Sequence, residues 1–350
     1  MSALKKRYKH MKQLLYGILF IFFVNISCKS TQQPNTNFNK TTISKTLIKP
    51  PYLKTGDTVS IVSPAGNLFN KRAEIEQAKK LLKSWNLNVV LGENIFNQNN
   101  QFAGTDNERA SDFQEALDNP TIKAIWCARG GYGSVRVLDK LDYSKFIEHP
   151  KWIIGYSDIT AFHNQIHNLG FETIHAMMGL SLNDDLEYLE ENSNSLKNSI
   201  FGNQLSYTIN SSDYNKLGEA SGQIVGGNLT LLHTMLGSKT TIDTTGKILF
   251  FEEIGEYAYH IDRMLQSLKR AGYFLNNRVA LSFVTFNLIV LPKISARFFS
   301  LWPAGKLKST GKLYSSTISK ISCSIGLPQG VLFFLTLLIS PTIIPLQFSK

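Results

Sequence analysis

Apolar and polar positions follow two different patterns between residues 50 and 180. Short apolar runs bounded by glycine, proline or asparagine predict β-strands, and apolar residues three and four positions apart predict helices. Because strands and helices take turns along the chain, we expect an α/β fold built on a mostly parallel sheet. The predicted strands are Asp57–Pro64, Asn88–Leu91, Ala124–Cys127 and Trp152–Ile154, and the predicted helices are Lys71–Trp85, Glu108–Leu117 and Ser134–Leu141. Ligands of such sheets bind beyond the carboxyl ends of the strands.

The stretch Gly155-Tyr156-Ser157-Asp158 follows the last of these predicted strands. Glycine permits a sharp turn, which would present the hydroxyl of Ser157 as a nucleophile, with the amide of Asp158 as an oxyanion donor. Serine and aspartate are also common helix caps, and the second glycine of the usual G-x-S-x-G pattern is absent. These four residues alone favour the cap. The nucleophile hypothesis predicts that Ser157 opens a helix and faces a pocket.

A glycine-rich stretch follows the preceding predicted strand. Within Ala128–Ser134, the residues Gly130, Gly131 and Gly133 let the backbone approach a ligand closely and offer amides to an anion. The stretch lacks the GxGxxG spacing of a dinucleotide loop and the lysine of a P-loop. It therefore indicates an anion-binding loop rather than a nucleotide site.

Six stretches occur in the order of the motifs of a known family. They are residues 62–66 (VSPAG), 129–133 (RGGYG), 155–160 (GYSDIT), 173–175 (TIH), 226–229 (GGNL) and 248–265 (ILFFEEIGEYAYHIDRML). Together they resemble the LD-carboxypeptidases, which include murein tetrapeptide carboxypeptidases and microcin C immunity peptidases. The resemblance implies a serine peptidase with a Ser-Glu-His triad. It also implies a flavodoxin-like or glutaminase-like N-terminal domain and a smaller C-terminal α/β domain that completes the cleft.

The resemblance assigns the catalytic positions. Ser157 matches the nucleophile, and Glu252, which follows an apolar run, matches the carboxylate of the triad. A serine needs a general base, and the base needs an acceptor that fixes its tautomer. The amides of Gly131 and Asp158 match the oxyanion hole.

Three further residues are expected to contact the substrate. Arg129 would bind an anionic substrate terminus, and His175 would line the cleft. Asn228 would contact the substrate, although an ordinary turn or helix cap is an equal alternative. No cofactor or metal ion is implied. The other acids of the last motif, Glu253 and Glu256, are expected to be partners of Arg263 or Lys269, or solvated.

The triad histidine is where the chain departs from the family. In the family it follows the glutamate late in the chain, but here the last histidine is His260. His175 is the only substitute, because His163 and His167 are expected on the helix after Ser157. Their spacing of one helical turn would also suit a metal pair, but a plain helix face is the better interpretation because no HExxH pattern accompanies them. We therefore predict that this chain is nearly inactive as a peptidase.

The C-terminal residues are unusual in charge. After Asp262 there is no aspartate or glutamate, whereas eleven lysines and arginines follow, equal to the net charge of +11. The basic character thus belongs to the tail, and no nucleic-acid partner is predicted. The tail is either a basic extension with a hydrophobic end or, as we favour, the product of a reading frame shifted near residue 275.

The N-terminus has the pattern of an export signal. Basic residues precede an apolar run at residues 14–26, which has the length of a signal-peptide core. The run ends at Ile26-Ser27-Cys28, which resembles a bacterial lipoprotein cleavage and lipidation site, although Asn25 stands where leucine is usual. The sequence predicts an exported protein, either periplasmic or anchored to the membrane through lipid on Cys28. Plain secretion is the alternative.

These predictions combine into one organisation. It comprises a signal or lipoprotein segment at 1–28, a disordered tether at 29–49, a nucleophile domain at 50–180, a polar connector at 181–205, a C-terminal domain at 206–275 and an atypical tail at 276–350. Within the connector, Asp184–Asn198 is expected to form a surface helix. The function implied by the resemblance is a serine LD-carboxypeptidase that releases a terminal D-amino acid from an L-centre in murein peptides, in peptidoglycan recycling. The alternative is a catalytically dead, peptide-binding lipoprotein. A homodimer is implied only by family precedent.

Overall fold

The computed structural model describes residues 46–183, 186–205, 207–208 and 222–274, and short strands at 279–282, 321–322, 337–339 and 346–347. The signal segment with Cys28, most of the tether and most of the tail lie outside the described residues. Lipidation, export, the frame shift and the homodimer therefore stay predictions. In the described part of the chain, no helix has the length and hydropathy needed to span a membrane.

The N-terminal part is built on five parallel strands in the order β2-β1-β3-β4-β5. The strands are β1 (Thr58–Val62), β2 (Asn88–Leu91), β3 (Ile122–Cys127), β4 (Trp152–Gly155) and β5 (Thr173–His175). The register pairs Val62 with Cys127 and Gly155 with His175, so the carboxyl ends of the strands share one edge. The strand Leu337–Ile339 adds to β5 in antiparallel orientation. The predicted parallel α/β sheet is confirmed.

Helices cover both faces of this sheet. They are α1 (Arg72–Ser84), α2 (Asp106–Asp118), α3 (Ser134–Leu138), α4 (Ser144–Glu148), α5 (Thr160–Leu169) and α6 (Leu186–Phe201). Side chains of the strands pack into two separate cores, one on each face of the sheet, as expected for a parallel sheet that is buried on both faces. Ile61 and Trp126 lie in the core that includes α1, whereas Val62 and Ile125 lie in the core that includes α2 and α5.

The helices predicted at 71–85, 108–117 and 134–141 all differ from the observed ones in their bounds, and α1 is one residue shorter than predicted at each end. Helix α2 begins at Asp106 because Thr105 forms a capping box, in which its hydroxyl accepts from the Glu108 amide at 3.2 Å and the Glu108 carboxylate accepts from the Thr105 amide at 2.7 Å. Helix α3 ends at Leu138 rather than Leu141.

The segment predicted as a polar connector with a surface helix is part of the fold. Its helix α6 places Leu196 and Ile200 in the same core as α1, and both side chains are 1% exposed. The polar composition misled the prediction, because the apolar residues are few but share one face. The expected helix is present, with one face in the core and the opposite face exposed.

The C-terminal part has a smaller parallel sheet in the order β6-β7-β8. Its strands are β6 (Ile224–Asn228), β7 (Ile248–Glu252) and β8 (Val279–Ser282), and its helices are α7 (Leu229–Thr234) and α8 (Ala258–Arg270). Leu232, Leu249 and Leu268 contribute to its separate core. The register places Asn228 beside Glu252 at the carboxyl ends of β6 and β7. Three two-residue strands, Tyr207–Thr208, Ile321–Ser322 and Leu346–Gln347, form another parallel sheet.

Candidate active site

Ser157 lies in a sharp turn immediately after β4. The residue has φ of 57°, in the left-handed region, and begins the short 3₁₀ helix Ser157–Ile159 that leads into α5. The other non-glycine residues with left-handed φ in the described part of the chain are asparagines, which tolerate this conformation better than serine does. The predicted placement of Ser157 at a strand end, opening a helix, is confirmed. Backbone strain of this kind is typical of functional turns.

We expect this strain to be measurable. Ser157→Gly should have a free energy of unfolding about 0.5–1 kcal/mol higher than Ser157→Ala, because glycine adopts positive φ without a Cβ penalty. The exposed helical residue Ser111 provides the matched control, since Ser111→Gly should be about 1 kcal/mol less stable than Ser111→Ala. Denaturant unfolding of the four variants measures both differences. A Ser157→Ala variant more stable than Ser157→Gly would show that the turn is unstrained.

A cavity of about 250 Å³ opens at Ser157. It is lined by Arg129, Gly130, Gly131, Tyr156, Ser157, Met178, Leu180 and Ser181. The glycine loop thus forms one wall and the serine turn another, as the position of both at strand ends predicts. Among the described residues, no group forms a hydrogen bond with the Ser157 hydroxyl. The hydroxyl is therefore available to a ligand in the cavity.

The glycine loop approaches the residue after the serine. A Cβ atom added at Gly130 would lie 3.5 Å from the amide nitrogen of Asp158. Gly131 has φ of 100°, a conformation that L side chains rarely adopt. The two amides predicted for an oxyanion hole therefore belong to neighbouring backbone segments. The Asp158 side chain is buried and accepts a hydrogen bond from the Ser134 amide at 2.8 Å.

Arg129 is the cation on the rim of this cavity. Its side chain is exposed, and Nη1 donates a hydrogen bond to the carbonyl of Asn67. Within the described ranges it forms no ion pair with a carboxylate. Its charge is therefore free to pair with an anionic ligand.

The C-terminal sheet contacts the helix that follows Ser157. The Asn228 amide donates to Oγ1 of Thr160 at 2.9 Å, and a Cβ atom at Gly227 would overlap the Thr160 side chain. Gly227 has φ of 138°, so glycine is needed here both for space and for conformation. This contact brings the end of β6, and Glu252 beside it, to the end of the large sheet where Ser157 lies.

The Asn228 side chain caps helix α7. Its Oδ1 accepts from the Leu231 amide at 3.1 Å, and its Nδ2 donates to Oε1 of Glu253 at 3.1 Å. The hydrogen bonds of Asn228 therefore confirm the alternative in which it is a helix cap. A contact between Asn228 and a substrate stays a prediction.

Glu252 ends β7 with a carboxylate that is poorly compensated. Its Oε1 is buried and has no hydrogen-bond partner within the described residues. Burial, reinforced by the neighbouring Glu253 and opposed by Asn228, raises the pKa of Glu252 from 4.5 to about 7. A buried carboxyl with a raised pKa is a common property of functional sites. Glu252 is not among the residues that line the cavity at Ser157, so its approach to that cavity stays a prediction.

The two other acids of this motif have different partners from those expected. Glu253 is buried and accepts from the Thr230 amide at 2.8 Å, from the Thr230 hydroxyl at 2.6 Å and from Asn228. Glu256 lies 2.6 Å from Nδ1 of His260. The expected pairing with Arg263 or Lys269 is wrong for both, because each acid is held by groups at the start of α7 or α8.

His163 and His175 lie beneath the serine turn. Nε2 of His163 donates to the carbonyl of Gly155 at 2.9 Å, and the two imidazole centroids are 5.8 Å apart. His175 also packs edge-on against Phe250, at 4.9 Å between ring centroids. Burial lowers the pKa of His163 to about 4 and that of His175 well below 6.5. Burial thus disfavours the protonated form of both rings, and neither is bonded to Ser157.

His167, the other histidine of α5, lies beside a lysine. His163 and His167 lie on α5 as predicted, but Nε2 of His167 is 3.0 Å from Nζ of Lys247. In the part of the chain that the structure describes, no group of three potential ligands is arranged to hold a metal ion.

Several cavity residues were missed by sequence reasoning. Tyr156 stands between the glycine and the serine, while Met178, Leu180 and Ser181 follow β5. The strand-end rule applied to β5 would have indicated the second group. Tyr156 had a signal as well, since it lies inside the serine turn itself.

Comparison with known proteins gives matches over both parts of the chain. The LD-carboxypeptidase N-terminal domain matches residues 59–176, and the LD-carboxypeptidase C-terminal domain matches residues 221–287. The solved muramoyltetrapeptide carboxypeptidase from Oxalobacter formigenes is 28% identical, with a TM-score of 0.59, over 66% of this chain and 78% of that chain.

Related sequences agree with these matches. A probable murein peptide carboxypeptidase from Bacillus subtilis (strain 168) is 40% identical over 228 residues, which are 64% of this chain and 70% of the relative. The murein tetrapeptide carboxypeptidase from Pseudomonas aeruginosa is 29% identical over 60% of this chain and 70% of the relative. The large parallel sheet with its smaller partner is thus the architecture of a two-domain α/β peptidase fold. The chain belongs to the LD-carboxypeptidase family.

Proposed function

We propose that this chain carries the serine site of an LD-carboxypeptidase for murein peptides, which releases a terminal D-amino acid from an L-centre. The observation that carries the proposal is the left-handed turn at Ser157, whose residue lines a cavity together with the glycine loop. The similar proteins named as murein peptide and murein tetrapeptide carboxypeptidases support the choice of substrate.

Each group has a defined part in this reaction. A general base takes the proton of the Ser157 hydroxyl as Oγ attacks the scissile carbonyl, and the amides of Gly131 and Asp158 stabilise the oxyanion. The base then gives that proton to the nitrogen of the terminal D-amino acid as the C–N bond breaks. The resulting acyl-enzyme is hydrolysed by water after D-alanine leaves. Arg129 binds the carboxylate of the terminal D-amino acid. Glu252 holds the general base in its productive orientation, which requires the ionised carboxylate.

The proton of Ser157 has no evident acceptor in this chain. No histidine among the described residues bonds to Ser157, and the sequence has none after His260. This observation favours a second candidate function, a catalytically dead protein that binds murein peptides. The N-terminal pattern supports an exported lipoprotein with lipid on Cys28 for either candidate. Binding is therefore the property that both candidates share.

Binding can be tested without turnover. Isothermal titration of the purified chain with murein tetrapeptide should show saturable binding, which Arg129→Met weakens about tenfold or more, because a charge-assisted hydrogen bond to the carboxylate is lost. Arg72→Met is the matched control, since Arg72 lies over the Phe96 ring and does not line the cavity. Failure to bind tetrapeptide, or equal binding by Arg129→Met, would contradict the proposal. Mass spectrometry of the same mixture detects any tripeptide and D-alanine.

A further inference from the structure

A buried arginine lies behind the glycine loop, outside the cavity. Arg109 of α2 is 1% exposed, and its Nη1 donates to the carbonyls of both Pro64 and Gly133, the latter at 3.1 Å. Its Nη2 pairs with the carboxylate of Asp106. Because an arginine is almost never fully buried without partners, these contacts account for its position. They join two loops at the carboxyl ends of the strands.

The loop around Gly131 is fixed by anchors on both sides. The Gly66 amide donates to the carbonyl of Gly130 at 3.0 Å, and Arg109 holds the carbonyl of Gly133. A Cβ atom added at Gly131 itself would meet nothing within 4 Å. Packing therefore does not position Gly131, and the neighbouring hydrogen bonds must do so.

The guanidinium of Arg109 occupies space that is open because Gly133 has no side chain. A Cβ atom there would lie 2.8 Å from Nη1 of Arg109 and 3.1 Å from Cα of Ala65. The charge of Arg109 also reaches the serine turn. Burial raises the pKa of the Asp158 carboxyl, and the hydrogen bond from Ser134 and the Arg109 charge both oppose that rise. Arg109 thus acts on the two backbone segments that supply the proposed oxyanion donors.

We propose that Arg109 is a positioning residue, which holds the glycine loop so that the Gly131 amide points at the oxyanion formed on the carbonyl attacked by Ser157. The guanidinium contacts no residue at the reacting atoms and acts only through the loop. This inference rests on the proposed function. It adds a residue outside the cavity to the machinery that stabilises the tetrahedral state.

The test compares a ground-state ligand with a mimic of the tetrahedral state. Murein tetrapeptide reports ground-state binding, and a murein tripeptide that ends in a boronic acid forms a tetrahedral, anionic adduct with a serine. The wild-type chain should bind the boronic acid more tightly than the tetrapeptide. Arg109→Gln should lower the affinity for the boronic acid about 10–100-fold and that for the tetrapeptide less than threefold, in line with the loss of one oxyanion donor. Arg109→Lys keeps the positive charge but not the planar guanidinium, so its affinity for the boronic acid should lie between those of the wild type and Arg109→Gln.

Arg136→Gln is the matched control. Arg136 shares the Asp106 carboxylate with Arg109, with its Nη2 at 2.8 Å. On the glycine loop it hydrogen-bonds the Tyr132 side chain but donates to neither of the carbonyls that Arg109 holds. This variant should keep the wild-type ratio of the two affinities. Thermal unfolding identifies variants that fail to fold, and Arg109→Lys replaces Arg109→Gln in that case.

The outcomes separate the two proposals. A folded Arg109 variant that keeps the wild-type preference for the boronic acid overturns the role of Arg109. A wild-type chain that binds both ligands equally has no working oxyanion loop, which also overturns it. A wild-type chain that binds neither ligand contradicts the proposed function itself.

Discussion

A variant whose C-terminal end carries the late histidine of the family should convert murein tetrapeptide to tripeptide and D-alanine about 10²–10⁴-fold faster than the chain as written. General-base catalysis typically contributes a factor of this size, and the loss is larger when triad members act as a unit. The variant is made by restoring a family-like reading frame after residue 287, because the match to the C-terminal domain and strand β8 extend beyond residue 275. Product formation is followed by mass spectrometry. The recovered turnover should disappear in Ser157→Ala and in Glu252→Gln.

Three results would contradict this expectation. Wild-type turnover equal to that of the repaired chain, and lost in His175→Ala, would make His175 the base. Turnover that survives Ser157→Ala would exclude the serine mechanism. Nucleotide sequence in which no alternative frame encodes a family-like end with a Gly-His pair would exclude the frame shift.

Replacing Glu252 by glutamine should stabilise the fold at neutral to alkaline pH while removing activity from the repaired chain. Because the pKa of Glu252 rises from 4.5 to about 7 on folding, the carboxyl favours the folded state fully below pH 4.5, and this contribution is lost as the pH rises through about 7. At pH 8 the ionised carboxylate costs about 3 kcal/mol by the pKa difference, which Glu252→Gln should recover. At pH 4 the two proteins should have the same stability. Denaturant unfolding at both pH values measures this.

The adjacent acid provides a control of opposite sign. Glu253 accepts hydrogen bonds from Thr230, Asn228 and the Ile254 amide. Glu253→Gln should therefore lower the free energy of unfolding by about 1–3 kcal/mol, since amide donors would be left facing an NH₂ group. Equal effects of the two substitutions would show that Glu252 carries no special electrostatic cost.

Sequence reasoning was strongest where local pattern and chain order decide the structure. The apolar run before Gly155 and the three glycines after β3 placed the serine turn and the glycine loop on one sheet edge. Their meeting in a single cavity follows from parallel strands alone. The family resemblance supplied Glu252, for which spacing offers no rule.

Contacts between distant segments were beyond the sequence. Arg109 is one of many charged residues in an amphipathic helix, and nothing local shows that its guanidinium enters a space left by Gly133. The bonds of Glu253 to α7 depend on the register of β6 and β7. Helix α6 was judged by its polar composition, whereas Leu196 and Ile200 determined its packing.

The residues that line the cavity all come from the large sheet and its loops, whereas Glu252 comes from the smaller one. The cavity with Ser157 and the proposed oxyanion donors is therefore encoded upstream of the triad carboxylate Glu252. The predicted frame shift lies downstream of both, so it would remove the general base and leave the cavity intact. In a cell that also makes an active relative, we expect such a chain to bind murein peptides without cleaving them. It would then compete with the active enzyme for substrate, and the competition should increase with the amount of this chain.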